Sequence, residues 1–399
     1  MPALRLLPVK AHLQFLSRPA AANDGAHAGA RMFWAANPLS IRLQKWLVVV
    51  RHTVCVNCVR LLFIKLKHIG DSLLLTPTLM AARVAYPASE ISVVVRRGTE
   101  GILSGCPAVD HLHTAAPAEA GQRSAGAWLS DLRLAFRCGR QRFDYAFELS
   151  DGDRGRWLAS LSGARIRTTN IAKAPLHWWW QQRFNSFSQF RWHEAHAVEK
   201  DYYTVHDVLP LPATVPPLAF VRERTKEWAP AGGGQDFAVL HPGTRWLRKR
   251  WPLERWLVVA QELASVFPRL IISAGPDPDE VRDAAELEHA LSGRAISTAG
   301  QLKWAQLAGL LYRARLFVGV DTAAMHLAAA CQVPVVGLFG PSDARVWRPW
   351  HVAHELVSPP GDQPHLRTMN DITVPQVLAA CRRMVHLNAL SGGLSPERA

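Results

Sequence analysis

Val59-Arg-Leu-Leu-Phe-Ile-Lys-Leu-Lys-His-Ile-Gly-Asp71, with Ser72 to Tyr86 behind it, decides the fold. Val59 to Leu66 is a short apolar run of strand length and reads as a buried strand. Lys67 to Asp71 contains Gly70 and makes a turn. From Ser72 to Tyr86 apolar residues recur at helical spacing, and Pro87 stands just beyond, where a helix must have ended. Glu90-Ile-Ser-Val-Val-Val95 is a second strand. Strand, glycine turn, helix and strand make the βαβ unit of a parallel sheet covered by helices.

Working outward, Asp144 to Leu149 reads as a strand and Gly155 to Leu161 as a helix closed near Gly163. The rhythm lapses over 172–235, which holds Trp178-Trp-Trp180, Pro210, Pro212, Pro216, Pro217 and Gly232-Gly-Gly234. Proline and glycine clusters of this kind predict an interdomain linker. A second series follows: strands at Phe237–Leu240, Leu270–Ala274, Leu316–Val320 and Pro334–Phe339, and helices at Pro252–Phe267, Asp279–Leu291 and Thr322–Cys331. Pro252 suits the first turn of its helix. The expected division is a basic extension at 1–58, an α/β domain at 59–210, a linker at 211–235, a second α/β domain at 236–385 and a tail at 386–399. A ligand belongs at the carboxyl ends of the strands, in the cleft between the two halves.

Composition bounds the function. The chain has 399 residues, 49% of them hydrophobic, which suits about two globular domains. No run of about 18 apolar residues is present, which argues against a spanning helix. The net charge is +14, which favours anionic partners. Half of it lies in residues 1–60, where eight Lys or Arg face the single acid Asp24. Residues 1–58 read as a disordered or loosely helical extension, with a basic membrane-surface segment as the rival reading and Met32 as another candidate start. Six scattered cysteines suggest no disulfide scaffold and fit a reducing cytoplasm. Cys55 and Cys58 have a C-x-x-C spacing, but no second ligand pair follows to make a zinc site. No Walker A loop, G-x-G-x-x-G fingerprint or G-x-S-x-G elbow occurs, which disfavours common NTPases, dehydrogenases and hydrolases.

Three turns carry candidate chemistry. In His68-Ile-Gly-Asp71, Gly70 lets a ligand approach closely. Asp71 is expected at the helix N-terminus, where a carboxylate either only caps the helix or accepts a proton from an attacking hydroxyl. His241-Pro-Gly-Thr-Arg-Trp-Leu-Arg-Lys-Arg-Trp-Pro252 offers backbone N–H groups, the Thr244 hydroxyl and the cations Arg245, Arg248, Lys249 and Arg250, a set suited to a diphosphate. A solvated basic loop is the bland alternative. Asp321 and Thr322 open a helix directly after a strand, where the N–H groups of Thr322, Ala323 and Ala324 and the helix dipole favour a phosphate, with His326 one turn on from Thr322. A capped, buried helix explains this turn equally well. Asp151-Gly-Asp153 matches a D-x-D metal motif but sits beside Arg154 and Arg156, and His193-Glu-Ala-His196 lacks the spacing of a zinc helix. Neither predicts a metal site.

Together these segments resemble glycosyltransferase family 9, the ADP-heptose:lipopolysaccharide heptosyltransferases. Ile64 to Pro77 is similar to its opening motif, Leu240–Thr244 with Lys249–Pro252 to its central motif, and Asp321–Ala330 with Leu338–Asp343 to its C-terminal signature. The resemblance covers roughly 59–385. The Lys-His-Ile-Gly-Asp form and Leu149-Ser-Asp-Gly-Asp-Arg154 look most like the heptosyltransferase III subgroup.

The resemblance implies an α/β GT-B fold, two Rossmann-like domains facing across a cleft. It also implies inverting, metal-independent transfer without a cofactor. Asp71 matches the catalytic base. Thr244, Lys249 and the Asp321, Thr322, Ala323 and Ala324 turn match the phosphate-binding positions, Met325 and His326 line the donor site, and Glu280, with Asp279 as the neighbouring choice, binds the adenosine ribose. The implied partners are an ADP-heptose donor, a lipopolysaccharide core acceptor held by the N-terminal half, and the anionic inner-membrane surface on its cytoplasmic face. Nucleic acid is not among them. The alternatives are a GT-B transferase using another nucleotide sugar, or a non-catalytic basic binding protein. Trp178 to Trp192 is expected either to touch lipid or to pack an interdomain seam. Departures from the family pattern are Ala323 where glycine is usual, Trp246-Leu247 where polar residues are common, and the extension.

Overall fold

In the computed structural model, residues 59–117, 124–172, 175–191, 195–228 and 236–391 are described. The expectations for 1–58, including Cys55 and Cys58, and for Trp192, His193, Glu194, Gly232-Gly-Gly234 and 392–399 lie outside them.

The N-terminal half has strands β1 (Arg60–Lys65), β2 (Glu90–Arg96), β3 (His111–Ala115), β4 (Tyr145–Glu148), β5 (Ile166–Asn170) and β6 (Ser186–Ser188), of which β1, β2 and β4 are the expected runs. They form one sheet in the order β3-β2-β1-β4-β5-β6, parallel throughout. Helices α1 (Ile69–Leu74), α2 (Thr76–Ala85), α3 (Ala125–Arg140), α4 (Asp153–Leu161), α5 (Trp178–Gln181) and α6 (Ala197–His206) complete this lobe.

The C-terminal half repeats the plan with β7 (Phe237–His241), β8 (Arg269–Ile272), β9 (Ala295–Ser297), β10 (Leu316–Val320), β11 (Val335–Leu338) and β12 (His354–Val357). Their order is β12-β11-β10-β7-β8-β9, again parallel. Counted from each sheet's own first strand, the two orders are the same. In both, the chain reverses direction across the sheet between the first and fourth strands, the crevice where α/β folds bind ligands. Helices α7 (Leu253–Val266), α8 (Pro278–Ala290), α9 (Trp304–Leu311), α10 (Ala323–Ala330), α11 (Ala344–Trp347) and α12 (Val374–Ser391) belong to this half. This is the expected pair of Rossmann-like lobes.

Several boundaries differ from the sequence reading, each for a local reason. The helix expected over 72–86 is two helices that start three residues early, at Ile69. His68 takes the cap position, and Asp71, three residues on, accepts its backbone N–H at 3.0 Å. The break at Leu75 follows from Pro77, which lacks an N–H and would crowd the Leu73 carbonyl; the Thr76 hydroxyl donates to that carbonyl instead, at 2.7 Å. Pro252 is the cap of α7, one position ahead of its first turn. The stretch over 172–235 is not structureless, since it contains α5, β6 and α6. Nor is its proline-rich part a loose tether: Leu211, Val215, Leu218 and Phe220 are buried, the Trp350 indole donates to the Pro216 carbonyl at 2.9 Å, and the Ala219 N–H donates to the Thr76 hydroxyl at 3.0 Å. α12 runs past residue 385 to Ser391.

Candidate active site

A cleft of about 900 Å³ opens between the carboxyl ends of the two sheets. From the N-terminal lobe it is lined by the turn after β1, including His68, Gly70 and Asp71, and by Arg96, Arg97 and Thr99. From the other lobe come Thr244, Arg245 and Lys249 of the turn after β7, Glu280 at the start of α8, and Asp321 to Ala324 with His326. Of the donor-site residues expected from sequence, Met325, the alternative acid Asp279 and the candidate cations Arg248 and Arg250 are absent from this wall. Successive helical residues point in different directions, so His326 turns to the cleft while Met325 is fully buried beneath Gly337.

The two lobes meet closely at Gly70. A Cβ there would stand 3.4 Å from the His326 ring and 3.6 Å from the Ala323 backbone, so the start of α1 lies against the start of α10. Asp71 thus looks toward the N-terminal turn of α10, where unbonded N–H groups and the helix dipole favour an anion. Its capping bond and its exposure to the cleft coexist, so the two roles weighed for it are not exclusive.

Around α10 the polar groups are only partly matched. The Lys249 ammonium sits 2.6 Å from one Asp321 oxygen, and His326 Nε2 is 3.9 Å from the other. The Thr322 hydroxyl and His326 Nδ1 are buried without a hydrogen-bond partner among the described residues. Such groups cost stability unless something bonds them. Burial holds His326 below its ordinary pKa, against the pull of Asp321 and Asp71. The ring is therefore neutral at physiological pH, with one nitrogen able to donate and one to accept.

Glu280 is set by glycines. An added Cβ at Gly243 would stand 2.4 Å from its carboxylate, and one at Gly275 2.8 Å. The Gly275 N–H donates to the carboxylate at 2.8 Å, and burial raises its pKa despite that bond. Asp279, the neighbouring choice, faces away, paired with Arg282 at 2.8 Å and Arg250 at 3.5 Å. The Thr244 hydroxyl accepts the Trp246 N–H at 3.3 Å and shapes the turn.

Sequence reasoning passed over three features. His68 Nδ1 lies 3.0 Å from an Arg245 nitrogen of the opposite lobe and 3.5 Å from Arg96; burial, aided by those cations, lowers its pKa, and the neutral ring accepts from the guanidinium. His196, at the cap of α6, bonds the Arg348 carbonyl across the lobes at 2.8 Å, and burial drops it to about 3. Asp151, in the left-handed region at φ 58, is paired with Lys67 at 2.9 Å and, more closely, with Lys200. Burial opposes its charge, but the two lysines outweigh burial and hold the carboxyl down at about 2. The only advance signal for this last feature was the D-x-D itself, which is a lysine clamp: Asp153 pairs with Arg156 at 2.9 Å, and no group of three His, Cys, Asp or Glu suited to a metal occurs among the described residues.

The described tryptophans of the 178–192 stretch pack within their own lobe and not in the interdomain seam weighed for them. Trp179 and Trp180 meet Trp157 of the same lobe with ring centroids 5.2 and 5.3 Å apart, and the Arg183 guanidinium lies 3.9 Å over Trp179. No helix among the described residues is long and apolar enough to cross a membrane.

Residues 132–372 match the family model described as glycosyltransferase family 9 (heptosyltransferase). The chain is 27% identical over 288 residues to a lipopolysaccharide heptosyltransferase 3 of Escherichia coli, covering 70% of this chain and 83% of that one. It is 28% identical over 302 residues to lipopolysaccharide heptosyltransferase 1 of Pseudomonas aeruginosa, covering 71% and 79%. Among solved structures, the Escherichia coli heptosyltransferase WaaC with ADP aligns at a TM-score of 0.69 with 20% identity, over 82% of this chain and 99% of that one. Escherichia coli ADP-heptose lipopolysaccharide heptosyltransferase II aligns at 0.67 with 18% identity, over 83% and 99%. At those identities the structures speak for the fold.

Proposed function

Since the chain belongs to glycosyltransferase family 9, we propose that it moves heptose from ADP-L-glycero-β-D-manno-heptose to the inner core of lipopolysaccharide, with inversion and without a metal. It is a glycosyltransferase of the heptosyltransferase kind; the donor, stereochemistry and residue roles are what the proposal adds. The observation that carries it is the face-to-face placement of Asp71 and the start of α10, where the Thr322 hydroxyl and His326 Nδ1 await partners.

The C-terminal lobe, 236–385, holds the donor. Its diphosphate sits at the N-terminus of α10, bonded by the N–H groups of Thr322, Ala323 and Ala324, by the two unmatched side chains and by Thr244. Lys249 and Arg245 offset its charge. Glu280, fixed by the Gly275 N–H, accepts from the ribose hydroxyls. The acceptor hydroxyl enters from the N-terminal lobe, 59–210. Asp71 takes its proton as the oxygen attacks the anomeric carbon from the face opposite the diphosphate, so the C–O bond to ADP breaks as the new one forms and configuration inverts. Negative charge develops on the leaving diphosphate, where the helix terminus and Lys249 are already aimed. That cationic set does the work a metal does in other transferases. Because the acceptor is lipid-anchored, the enzyme works against the anionic cytoplasmic face of the inner membrane.

The test is ADP release from ADP-heptose with truncated lipopolysaccharide core, for the parent and Asp71→Ala. Turnover by the parent, at least about 10³-fold lower in the variant with ADP still bound, is the expected result. ADP binding without turnover by the parent would move the proposal to another sugar or acceptor. No ADP binding would remove the donor-site assignment altogether.

A further inference from the structure

The strand-to-strand connection through α3 carries a surface that the cleft does not use. Its buried side is Asp131, Leu134, Ala135 and Cys138. On the outer side Trp128 is 52% exposed, Leu129 48%, Leu132 56% and Phe136 68%. At 100° per residue these four span a sector of about 100°, and Arg133, Arg137 and Arg140 fill the sector beside it. The apolar surface continues onto α4, where Trp157 and Leu161 are exposed. The two helices touch: a Cβ at Gly139 would stand 2.9 Å from the Leu161 carbonyl.

Charge identifies what covers this face. The single acid of α3, Asp131, is turned inward and gripped by two Arg154 nitrogens at 2.8 Å each. That leaves a helix of 16 residues with an apolar sector, an arginine flank and no outward carboxylate. A long arginine stem lies along apolar surface while its head reaches phosphate, and an apolar sector of this width sinks to the headgroup–acyl boundary. We propose that α3 lies in the plane of an anionic bilayer and docks the N-terminal lobe there through Leu129, Leu132 and Phe136, with Arg133, Arg137 and Arg140 on lipid phosphates.

The docking face is tied to the cleft. Arg154, besides holding Asp131, donates to the Ala116 carbonyl at 2.6 Å, and Asp131 accepts the Ala116 N–H at 3.1 Å. Ala116 precedes Pro117, which lines the cleft. Seating α3 on lipid therefore fixes the angle at which the acceptor side of the cleft meets the membrane. The inference rests on the lipid-anchored acceptor proposed above for its purpose, but lipid binding needs no turnover, so the two fail separately.

The test is co-sedimentation of the full chain with vesicles of phosphatidylethanolamine and phosphatidylglycerol, and with phosphatidylcholine vesicles. The parent is expected to prefer the anionic vesicles, less so as salt rises. The triple variant L129S/L132S/F136S and the triple variant R133Q/R137Q/R140Q should each lose at least about tenfold in partitioning. Both should melt as the parent does and keep its rate on a detergent-solubilised acceptor. V258S/V266S, on the exposed side of α7, should bind like the parent. Parent-like binding by the α3 variants would overturn the proposal and assign lipid contact to another part of the chain. Equal binding to both vesicle types, or a lipid-free dimer that the α3 variants abolish, would overturn it as well. Normal lipid binding by a parent without transferase activity would leave the docking face standing and remove the proposed reaction.

Discussion

The two lobes carry the same pairing at the same topological place, and use it differently. Each has an aspartate just after the fourth strand of its sheet and a lysine in the turn after the first: Asp151 with Lys67 in the N-terminal lobe, Asp321 with Lys249 in the other. In the N-terminal lobe a second lysine, Lys200, closes the set. Both lysines hold that carboxylate, none of the three groups is among the buried polar atoms without a partner, and the clamp fixes Lys67, four residues from Asp71. In the C-terminal lobe Asp321 faces one lysine and a neutral histidine, and the Thr322 hydroxyl and His326 Nδ1 beside it lack partners among the described residues. A closed pair positions a loop, whereas an open one awaits an anion.

Between the two pairs, the larger expected effect comes from the open one. Lys249→Met should lower transfer efficiency by at least about 100-fold and weaken ADP binding by a similar factor, because a charge-assisted contact to the diphosphate is lost from a partly dry site. Titration calorimetry with ADP measures this directly. Unchanged ADP affinity in a folded variant would mean that the Lys249 pair is as closed as the Lys67 one, and the contrast would collapse.

The closed pair should respond in the opposite way. Asp151→Asn removes the carboxylate that Lys67 and Lys200 share and leaves Asp201 as a counter-charge near both, a loss of about 2–3 kcal/mol. Tm should fall by several degrees and turnover by about tenfold, while ADP affinity stays at the parent value. A loss of ADP affinity would make this aspartate part of the donor site after all.

The same variant has a pH signature. The folded carboxyl lies at about 2 against an ordinary 3.8, so the clamp's contribution is complete above the ordinary value and disappears as pH falls through the folded one. The stability gap between parent and Asp151→Asn should therefore be flat above about pH 5 and close between about pH 4 and 2. Denaturant midpoints along that range measure it; a gap that persists at pH 2 would assign the loss to packing.

How far these features could be read in advance follows from which residues carry them. β1, β2, β7, β10 and β11 announce themselves as apolar runs, and the turns after β1, β7 and β10 stand out because glycine, histidine or charge follows a buried strand abruptly. β5 is hidden because its buried residues are Thr168, Thr169 and Asn170, polar groups such as Thr169 being satisfied by Glu148 at 3.0 Å. α6 is hidden for the same reason. Its inward face includes Lys200 and Asp201, and Asp201 neutralises Lys65 from across the lobe at 2.6 Å. A sequence pattern counts these as surface residues. Likewise Lys249 and Asp321 were both legible, but that they form a pair, and an incomplete one, exists only once β7 and β10 lie side by side.

The smallest effect tests whether the donor side is built for a ligand at its own expense. Glu280 is buried with one N–H donor, and burial holds its pKa above the ordinary value. A carboxyl raised on folding contributes stability below its unfolded pKa and loses it as pH climbs through the folded one. At neutral pH the charged group is therefore a slight burden on the empty protein. Glu280→Gln keeps an oxygen for the Gly275 N–H and removes the charge. The variant should melt at or just above the parent temperature at pH 7.5, and the difference should vanish near pH 4, while ADP affinity falls several-fold with the lost acceptor for the ribose. A variant that melts well below the parent at pH 7.5 would show that the charge supports the fold, as at Asp151. Glu280 would then belong with the closed pair, and the division of labour between the lobes would have to be redrawn.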